Sequence, residues 1–238
     1  MKVLIMAAGV GSRISRHLKD HPKCCVDILG KPLIQRTMEL LHSHGIKDIA
    51  IVSGYHEQYL KDVLKDYEYE SISNPFYRVT NSIASLWFAR DFLAGDEEVL
   101  IMNGDVFFEE PLLEIIEQAT ASPLMLADST RIEDADYRFN WEDERLKAYG
   151  KELTNEETTG EYVGIGKLNA ADVKILLEKV AGYIASEQYD IWWEDAIYRQ
   201  IHEGKDVPIY DVKGNFWAEV DYIEDYERIM AYVSEQQQ

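Results

Sequence analysis

The chain begins with a short apolar segment that runs directly into a turn of small residues. Residues 2–6 have the composition of a buried strand. Ala7, Ala8, Gly9 and Gly11 follow and leave the next turn almost free of side chains. Small residues leave room for a ligand and glycine tolerates unusual backbone torsions, so a phosphate group can approach the backbone N–H groups closely. The sequence therefore predicts a phosphate-binding turn at the end of the first strand.

Two cationic side chains accompany this turn. Arg13 directly follows Ser12, and Lys23 follows Pro22 a few residues later. The alternative interpretation is a tight strand-to-helix turn with two solvated cations. Because the turn and the cations occur together at the first strand, we favour phosphate contacts for Ser12, Arg13 and Lys23.

Two well-known phosphate motifs are absent from the sequence. The dinucleotide fingerprint G-x-G-x-x-G fails because Ile14 stands where its third glycine is required. A P-loop is excluded as well, because none of the four Gly-Lys pairs in the chain is followed by Ser or Thr. The turn therefore belongs to another class of phosphate-binding loop.

Apolar periodicity predicts alternating strands and helices over residues 1–128. This alternation is typical of a doubly wound α/β fold with a mostly parallel central sheet. The predicted strands are 3–6, 48–53, 69–73, 98–102 and 124–128, and the predicted helices are 33–44, 57–67, 83–93 and 111–120.

The second half of the chain is less regular. Residues 129–159 are polar and charged with scattered aromatic residues, which favours a hairpin or a small β-rich or helical excursion that covers the cleft. Beyond it we predict strands at 161–168, 207–212 and 215–220, and helices at 170–185, 192–202 and 223–233. The sequence contains no clear domain boundary, so we expect one domain over residues 1–238.

Charge and cysteine content limit the partners of this domain. The formal net charge of −20 argues against a nucleic-acid partner, because a phosphate backbone requires a basic surface. No apolar run approaches the length that spans a membrane. The two cysteines, Cys24 and Cys25, are neighbours and there is no secretory leader, so we expect a reducing, cytoplasmic location.

Carboxylates follow two of the predicted strands. Asp105 comes just after the strand 98–102, and Glu219 and Asp221 lie two residues apart at the end of a later strand. Any one of them alone is best explained as a solvated turn residue. Magnesium prefers oxygen ligands and usually binds one or two carboxylates together with phosphate oxygens and water. Asp105 and Asp221 beside a phosphate turn therefore predict a magnesium site.

The pattern A-A-G-x-G-S-R followed by P-K resembles the nucleotidyltransferases that make nucleoside-diphosphate sugars and CDP-alcohols. The resemblance implies that Lys23 is the main electrostatic catalyst and that Arg13 holds the β- and γ-phosphates. It implies a supporting role for Glu219 at the magnesium site and places Gly104 beside the nucleotide. Asn81 and Ser82 would contact the base, although both residues are equally explained as a helix cap. Residues 1–128 would form the nucleotide-binding half, and residues 129–238 would bind the acceptor and complete the metal site.

Aromatic residues lie close to acidic residues in the second half. Aromatic faces beside carboxylates suit a quaternary ammonium group, which ring quadrupoles attract. The alternative is that the tryptophans are core or subunit contacts. The candidate acceptor residues are Trp141, Glu161, Trp192, Trp193, Glu194 and Asp195.

Three segments, 81–86, 192–195 and 216–226, look like those of the bacterial CTP:phosphocholine cytidylyltransferases. Residues 160–166 are also similar to the cytidylyltransferases that act on 2-aminoethylphosphonate, which carries a primary ammonium. The resemblance implies magnesium-dependent transfer of CMP from CTP to phosphocholine with release of pyrophosphate, and a possible homodimer. The alternatives are 2-aminoethylphosphonate or a sugar 1-phosphate as acceptor, and a non-catalytic module that senses a nucleotide.

Overall fold

The computed structural model describes residues 1–11 and 21–236. Its strands are β1 (Lys2–Ala7), β2 (Asp27–Ile28), β3 (Lys31–Pro32), β4 (Ile49–Ser53), β5 (Glu70–Ser73), β6 (Val99–Asn103), β7 (Val106–Phe108), β8 (Leu124–Asp128), β9 (Arg138–Glu142), β10 (Arg145–Gly150), β11 (Gly160–Leu168), β12 (Ile209–Asp211) and β13 (Trp217–Glu219). Its helices are α1 (Leu33–Ser43), α2 (Glu57–Val63), α3 (Ser82–Phe88), α4 (Arg90–Leu93), α5 (Glu110–Gln118), α6 (Ala170–Ala185), α7 (Asp195–Tyr198) and α8 (Ile223–Gln236). Short 3-10 turns cover Lys23–Cys25 and Arg199–Glu203.

Four parallel strands form the centre of the main sheet in the order β6–β1–β4–β5. In this register Ile5 of β1 lies opposite Ile51 on one side and Met102 on the other. The inner strands are apolar on both faces because helices cover both sides of the sheet. The predicted α/β, doubly wound fold with a mostly parallel central sheet is confirmed.

The strand β11 continues this sheet beyond β6 and runs antiparallel to it. It pairs antiparallel with β6, β8 and β9, and β12 then adds to β8 in parallel. Strands from both halves of the chain therefore lie in one sheet. Apolar periodicity predicted the strand β11 but not its direction, because the period of a buried strand is the same in both orientations.

The helices pack their apolar faces on the sheet. In α1, Ile34, Met38 and Leu41 recur at helical spacing and are fully buried with β1 and β4 in one core cluster. Pro32 precedes this helix, and Gly45, with φ of +75°, follows shortly after its end. Among the described residues, no helix has both the length and the apolar character that crossing a membrane requires.

The helix predicted over 57–67 ends earlier, at Val63, and two other predicted helices are interrupted or begin later. The helix predicted over 83–93 is divided at Ala89, whose N–H donates to Leu86 O (3.1 Å) as well as to Ser85 O (3.2 Å). The helix predicted over 192–202 begins only at Asp195, and the Asp195 carboxylate accepts the N–H of Trp192 (3.0 Å) in the turn before the helix. The residues 199–203 then continue as a 3-10 turn.

The excursion predicted over residues 129–159 contains a β-hairpin. The strands β9 and β10 pair antiparallel, and Asp143 and Glu144 at the tip have φ values of 49° and 58°. Two consecutive positive φ values are typical of the tight turns that join such strands. The hairpin joins the main sheet where Phe139 of β9 lies opposite Gly160 of β11.

A two-stranded ribbon joins distant parts of the chain. The strands β7 and β13 pair antiparallel, with Val106 opposite Glu219. The N–H of Val220 donates to Asp105 O (3.0 Å). The ribbon therefore brings Asp105, from the first half of the chain, next to Asp221, from the second. The strand β7 was not predicted, since it spans only three residues.

Candidate active site

The turn after β1 forms one wall of an elongated cavity, which we call the turn cavity. The cavity lies at the carboxyl end of the parallel strands and has a volume of about 280 Å³. The residues predicted from the sequence that line it are Ala7, Ala8, Gly9, Gly11, Lys23, Asn81, Ser82, Gly104, Asp105 and Glu219. Ser12 and Arg13, which we also predicted to contact phosphate, lie outside the described residues.

Gly104 allows the end of β6 to lie directly against this turn. Its N–H donates to Met6 O (2.9 Å). A Cβ atom at Gly104 would lie 3.0 Å from the Cβ atom of Ala7 and 3.2 Å from Met6 O. The small residue therefore keeps two strand ends close together and leaves the cavity open between them.

Lys23 extends across the turn toward the carboxylates. Its Nζ atom donates to Asp105 Oδ2 (3.1 Å) and to Asp221 Oδ1. The stem of the side chain passes over Gly11, since a Cβ atom at Gly11 would lie only 2.4 Å from Lys23 Cγ. The turn, the lysine and two distant acids thus converge at one point.

The charges at this point influence each other's pKa. Burial alone would lower the pKa of Lys23, but the carboxylates of Asp105 and Asp221 outweigh it and raise the pKa above its ordinary value. Burial, together with the negative charges of Asp105 and Asp221, raises the pKa of Glu219 well above its ordinary value. The ammonium of Lys23 therefore stays charged and partly neutralises a cluster of acids.

A substitution at Gly11 tests the path of the lysine stem. We expect Gly11→Ala to lower turnover by about tenfold or more, because a methyl group there displaces Lys23 and because the φ of +64° is strained for alanine. The matched control is Gly45→Ala, which has a similar φ of +75° but open space around it. Both variants should lose a similar stability of about 1 kcal/mol in thermal or denaturant unfolding. Equal activity of the two variants would contradict the role of Gly11.

Asp105 and Asp221 both pair with the ammonium of Lys23. Two carboxylates arranged around one positive charge are also what a magnesium ion requires when phosphate oxygens and water complete its shell. Glu219 is held further back, where its Oε1 atom accepts a hydrogen bond from Asn103 Nδ2 (3.3 Å). Within residues 1–11 and 21–236, no group of three or more His, Cys, Asp or Glu side chains is arranged to hold a metal ion. Asp105 and Asp221 offer two oxygen ligands of the kind that magnesium prefers, and the magnesium site remains a prediction.

Asn81 and Ser82 lie on the far wall of the turn cavity, and both also have structural roles. The Asn81 carboxamide accepts the N–H of Ser82 (2.8 Å) at the start of α3. The Ser82 hydroxyl accepts the N–H of Trp193 (2.8 Å). The helix-cap interpretation of Asn81 is therefore correct, and a contact to a base remains a prediction for both residues.

A second cavity adjoins the first, and we call it the tyrosine cavity. It has a volume of about 420 Å³ and is lined by Tyr137, Tyr162 and Tyr198 together with charged residues. The residues that line both cavities are Gly11, Lys23, Asn81, Asn103, Trp192, Glu194 and Glu219. The two cavities are thus neighbouring parts of one cleft, and Lys23 and its acids lie where they meet.

Two of the six predicted acceptor residues line this cleft, namely Trp192 and Glu194. Trp192 is 45% exposed at the cavity wall, whereas Glu194 is 6% exposed. Burial raises the pKa of the Glu194 carboxyl to about 8, with a smaller contribution from the charge of Asp195.

The other two tryptophans correct the sequence prediction. Trp193 is fully buried, and its Nε1–H donates to Asn103 Oδ1 (3.2 Å). Trp141 packs against Gly160, where a Cβ atom would lie 2.6 Å from its ring. Neither side chain lines the cleft, so the core interpretation holds for both.

The two remaining acids are paired within the protein. Glu161 forms an ion pair with Arg131 and accepts the N–H of Asp136 (2.7 Å). Asp195 accepts hydrogen bonds from the N–H of Trp192 (3.0 Å) and from Arg199 Nε (3.3 Å). Neither lines the turn cavity or the tyrosine cavity, so a contact of either acid with an acceptor remains a prediction.

Sequence reasoning missed the three tyrosines and Asn103. Tyr198 lies four residues after Glu194, and this spacing brings two residues of one helical turn together. Tyr162 follows Glu161 on β11, and alternate residues of a strand face opposite sides. These two local signals could have identified Tyr198 and Tyr162, but the orientation of β11 was needed to choose between Glu161 and Tyr162.

Comparison with known proteins agrees with this arrangement. The sequence pattern of the MobA-like NTP transferase domain matches residues 3–134. A CTP:phosphoglutamine cytidylyltransferase of Campylobacter jejuni is 25% identical over 95% of this chain and 98% of that protein. A choline-phosphate cytidylyltransferase of Streptococcus pneumoniae is 24% identical over 96% of each chain.

The fold is also shared with solved structures. The CTP:phosphocholine cytidylyltransferase of Streptococcus pneumoniae superimposes with a TM-score of 0.81 at 20% identity and covers 98% of both chains. The family pattern spans more than half of the chain and includes the glycine turn, Lys23 and Asp105. The chain therefore belongs to the family of MobA-like NTP transferase domains and is a nucleotidyltransferase.

Proposed function

We propose that the protein is a magnesium-dependent cytidylyltransferase that transfers CMP from CTP to a small acceptor carrying both a phosphate or phosphonate and a cationic group. The observation that carries this proposal is the junction of the two cavities at Lys23, Asp105 and Asp221. One cavity begins at the glycine turn, and the other is lined by aromatic rings and carboxylates. A donor and an acceptor bound in this cleft would meet beside the ammonium group of Lys23.

The triphosphate is assigned to the turn cavity. Backbone N–H groups of a turn without side chains suit phosphate oxygens. Lys23 would contact the α-phosphate, and Arg13 would hold the β- and γ-phosphates as the resemblance implies. Asn81 and Ser82 line the same cavity and would contact the base.

The reaction needs no nucleophile from the protein. An oxygen of the acceptor phosphate attacks the α-phosphorus of CTP, the new P–O–P bond forms, and pyrophosphate leaves. A phosphate monoester has a second pKa of about 6, so it is already largely a dianion at neutral pH. The task of the protein is to hold two anions together and to offset their repulsion, which Lys23 does with a fixed positive charge.

Asp105 and Asp221 would hold the magnesium ion, with Glu219 in a supporting position. When bound, the ion would supply further electrostatic stabilisation at the transferring phosphate. The acids also orient Lys23 in the structure described here, since both accept hydrogen bonds from its Nζ atom.

The acceptor is assigned to the tyrosine cavity. Phosphocholine is the acceptor predicted from the sequence, 2-aminoethylphosphonate is the first alternative, and two relatives are named for phosphocholine and phosphoglutamine transfer. Aromatic rings and the Glu194 carboxylate in this cavity favour a cationic acceptor over the neutral hydroxyls of a sugar 1-phosphate.

Cys24 and Cys25 are both buried free thiols, which supports the proposed cytoplasmic location.

Pyrophosphate release with a panel of substrates tests this function. Each of CTP, UTP, dTTP, ATP and GTP is combined with magnesium and with phosphocholine, 2-aminoethylphosphonate, phosphoethanolamine, phosphoglutamine or glucose 1-phosphate. We expect release with CTP and a cationic acceptor, and little with other pairs. Preference for UTP or dTTP with a sugar phosphate would contradict the proposal. Absence of release with every pair would contradict catalysis itself.

A further inference from the structure

The wall of the tyrosine cavity contains an unusual set of polar atoms. Four buried side-chain polar atoms have no hydrogen-bond partner within the described residues, and three of them are Glu194 Oε2, Tyr162 Oη and Tyr198 Oη. All three side chains line the tyrosine cavity. Because nearly all buried polar groups in proteins are paired, three unpaired groups in one cavity wall require a specific explanation.

These three groups come from different elements but lie together. Tyr162 is on β11, Tyr198 is at the end of α7, and Glu194 directly precedes α7. The ring centroids of Tyr162 and Tyr198 are 5.7 Å apart, and the two hydroxyls lie close enough to affect each other's pKa, although each phenolic oxygen can still accept a hydrogen bond from a ligand. The Glu194 charge also contributes to the raised pKa of both hydroxyls. The fold therefore assembles one carboxylate oxygen and two phenolic oxygens at a single place.

The ring that would hold a quaternary ammonium is already approached by a cation. Lys151 Nζ lies 6.0 Å from the ring centroid of Trp192, and the same ammonium donates to Asp136 Oδ2 (2.8 Å). Trp192 and Tyr137 face each other edge-on at 5.8 Å. Trp192 therefore offers less free ring surface to a methylated cation. The unpaired oxygens are the stronger indication of what the tyrosine cavity binds.

The hydrogen-bonding capacity of the ligand distinguishes the two kinds of acceptor. A quaternary ammonium has no N–H bond and leaves all three oxygens unpaired. A primary ammonium has three N–H donors, as a lysine side chain does, and can supply one to each oxygen. The positive charge of the ligand would favour the ionised form of Glu194, whose pKa burial raises to about 8, and would add charge-assisted hydrogen bonds, which are stronger than neutral ones.

We infer that the acceptor carries a primary ammonium group, and that Glu194, Tyr162 and Tyr198 receive its three N–H donors. The substrate class is then an aminoalkyl phosphate or phosphonate rather than a choline ester. This inference rests on the proposed function, because it specifies the acceptor of the same site. It departs from the phosphocholine prediction, which was based on tryptophans.

A series of acceptors that differ only in methyl groups tests the inference. Phosphoethanolamine, its N-methyl and N,N-dimethyl derivatives, and phosphocholine are compared by pyrophosphate release with CTP and magnesium. We expect kcat/KM to fall with each added methyl group, by on the order of tenfold or more over the series, because one N–H donor is lost at each step. A flat or rising series would overturn the inference. Comparison of phosphoethanolamine with 2-aminoethylphosphonate then separates the phosphate from the phosphonate.

Variants that remove only a hydroxyl group locate the recognition. Tyr162→Phe and Tyr198→Phe keep the aromatic rings, so we expect the ratio of kcat/KM for phosphoethanolamine over phosphocholine to move toward one. A cage made of rings predicts no change in this ratio. The matched control is Tyr149→Phe, whose ring lies 5.0 Å from that of Tyr198 but does not line the cavity, and whose ratio should equal that of wild type.

Glu194→Gln completes the set, since glutamine keeps the size of the side chain and removes its charge. We expect the largest loss of the preference in this variant. The methyl series on the wild-type protein stands by itself if a variant fails to fold. A preference for phosphocholine overturns this inference and leaves the proposed function intact, whereas no reaction of CTP with any of these acceptors, phosphocholine included, overturns both.

Discussion

Replacement of Lys23 by alanine is expected to lower kcat by about 10²–10³-fold, which is typical for the loss of a preorganised charge at a developing anion. The reason is geometric, because Lys23 is the ammonium that lies at the junction of the two cavities. The measurement is steady-state pyrophosphate release at saturating CTP, acceptor and magnesium. Thermal unfolding of the same sample shows whether the fold is retained.

The matched control for this variant is Lys31→Ala. Lys31 is a nearby lysine that pairs with Glu39 at the surface and lines neither cavity. Its variant should keep wild-type turnover. A second readout tests whether Lys23 offsets the charge of the acids: without the Lys23 ammonium, the nearby acids repel each other, so magnesium should raise the melting temperature of Lys23→Ala more than that of wild type. Wild-type turnover of Lys23→Ala would remove the residue from the mechanism.

Asp105→Asn is expected to have an effect of comparable size, on the order of a hundredfold or more in turnover. Asparagine keeps the shape of the side chain but loses the negative charge that a hard cation prefers. The magnesium concentration for half-maximal activity should therefore rise by on the order of tenfold or more, and Asp221→Asn should behave in the same way. Titration of activity with magnesium at fixed CTP provides the measurement.

Asp62→Asn serves as the control for the metal ligands. Asp62 is an exposed residue of α2 that accepts a hydrogen bond from the Gln58 amide (2.9 Å) and lies outside both cavities. Its magnesium titration should match that of wild type. An unchanged titration in both Asp105→Asn and Asp221→Asn would show that the metal is held by other groups.

Much of the fold could be predicted because buried strands and amphipathic helices have distinct apolar periods. The strand 124–128 and the helix 170–185 agree with the structure to the residue. The divided helix near Ala89 and the short helix α7 differ because local hydrogen bonds there compete with the regular helical pattern. The direction of β11 depends on long-range pairing, which local periodicity does not contain.

In the candidate site, too, local features could be predicted from the sequence and long-range features could not. The proximity of the glycine turn and Lys23 could be predicted, since both belong to one short contiguous segment of the sequence. The three tyrosines of the tyrosine cavity could not be predicted as cavity residues, because tyrosines on strands and helices usually indicate a core. The sequence also suggested an acceptor contact for Trp193, because this tryptophan lies beside acidic residues. The structure shows instead that its indole donates a hydrogen bond to Asn103 and that the side chain is completely buried, so it is part of the core.

The ribbon of β7 and β13 has a consequence for how activity appears during folding. Contacts between residues distant in sequence form slowly, because the intervening chain must first be closed into a loop. A folding intermediate with only β1, β4, β5 and β6 in place would already possess the glycine turn but would lack Asp221. Refolding experiments should therefore show recovery of helical circular dichroism before recovery of turnover. Recovery of turnover would then mark the pairing of β7 with β13.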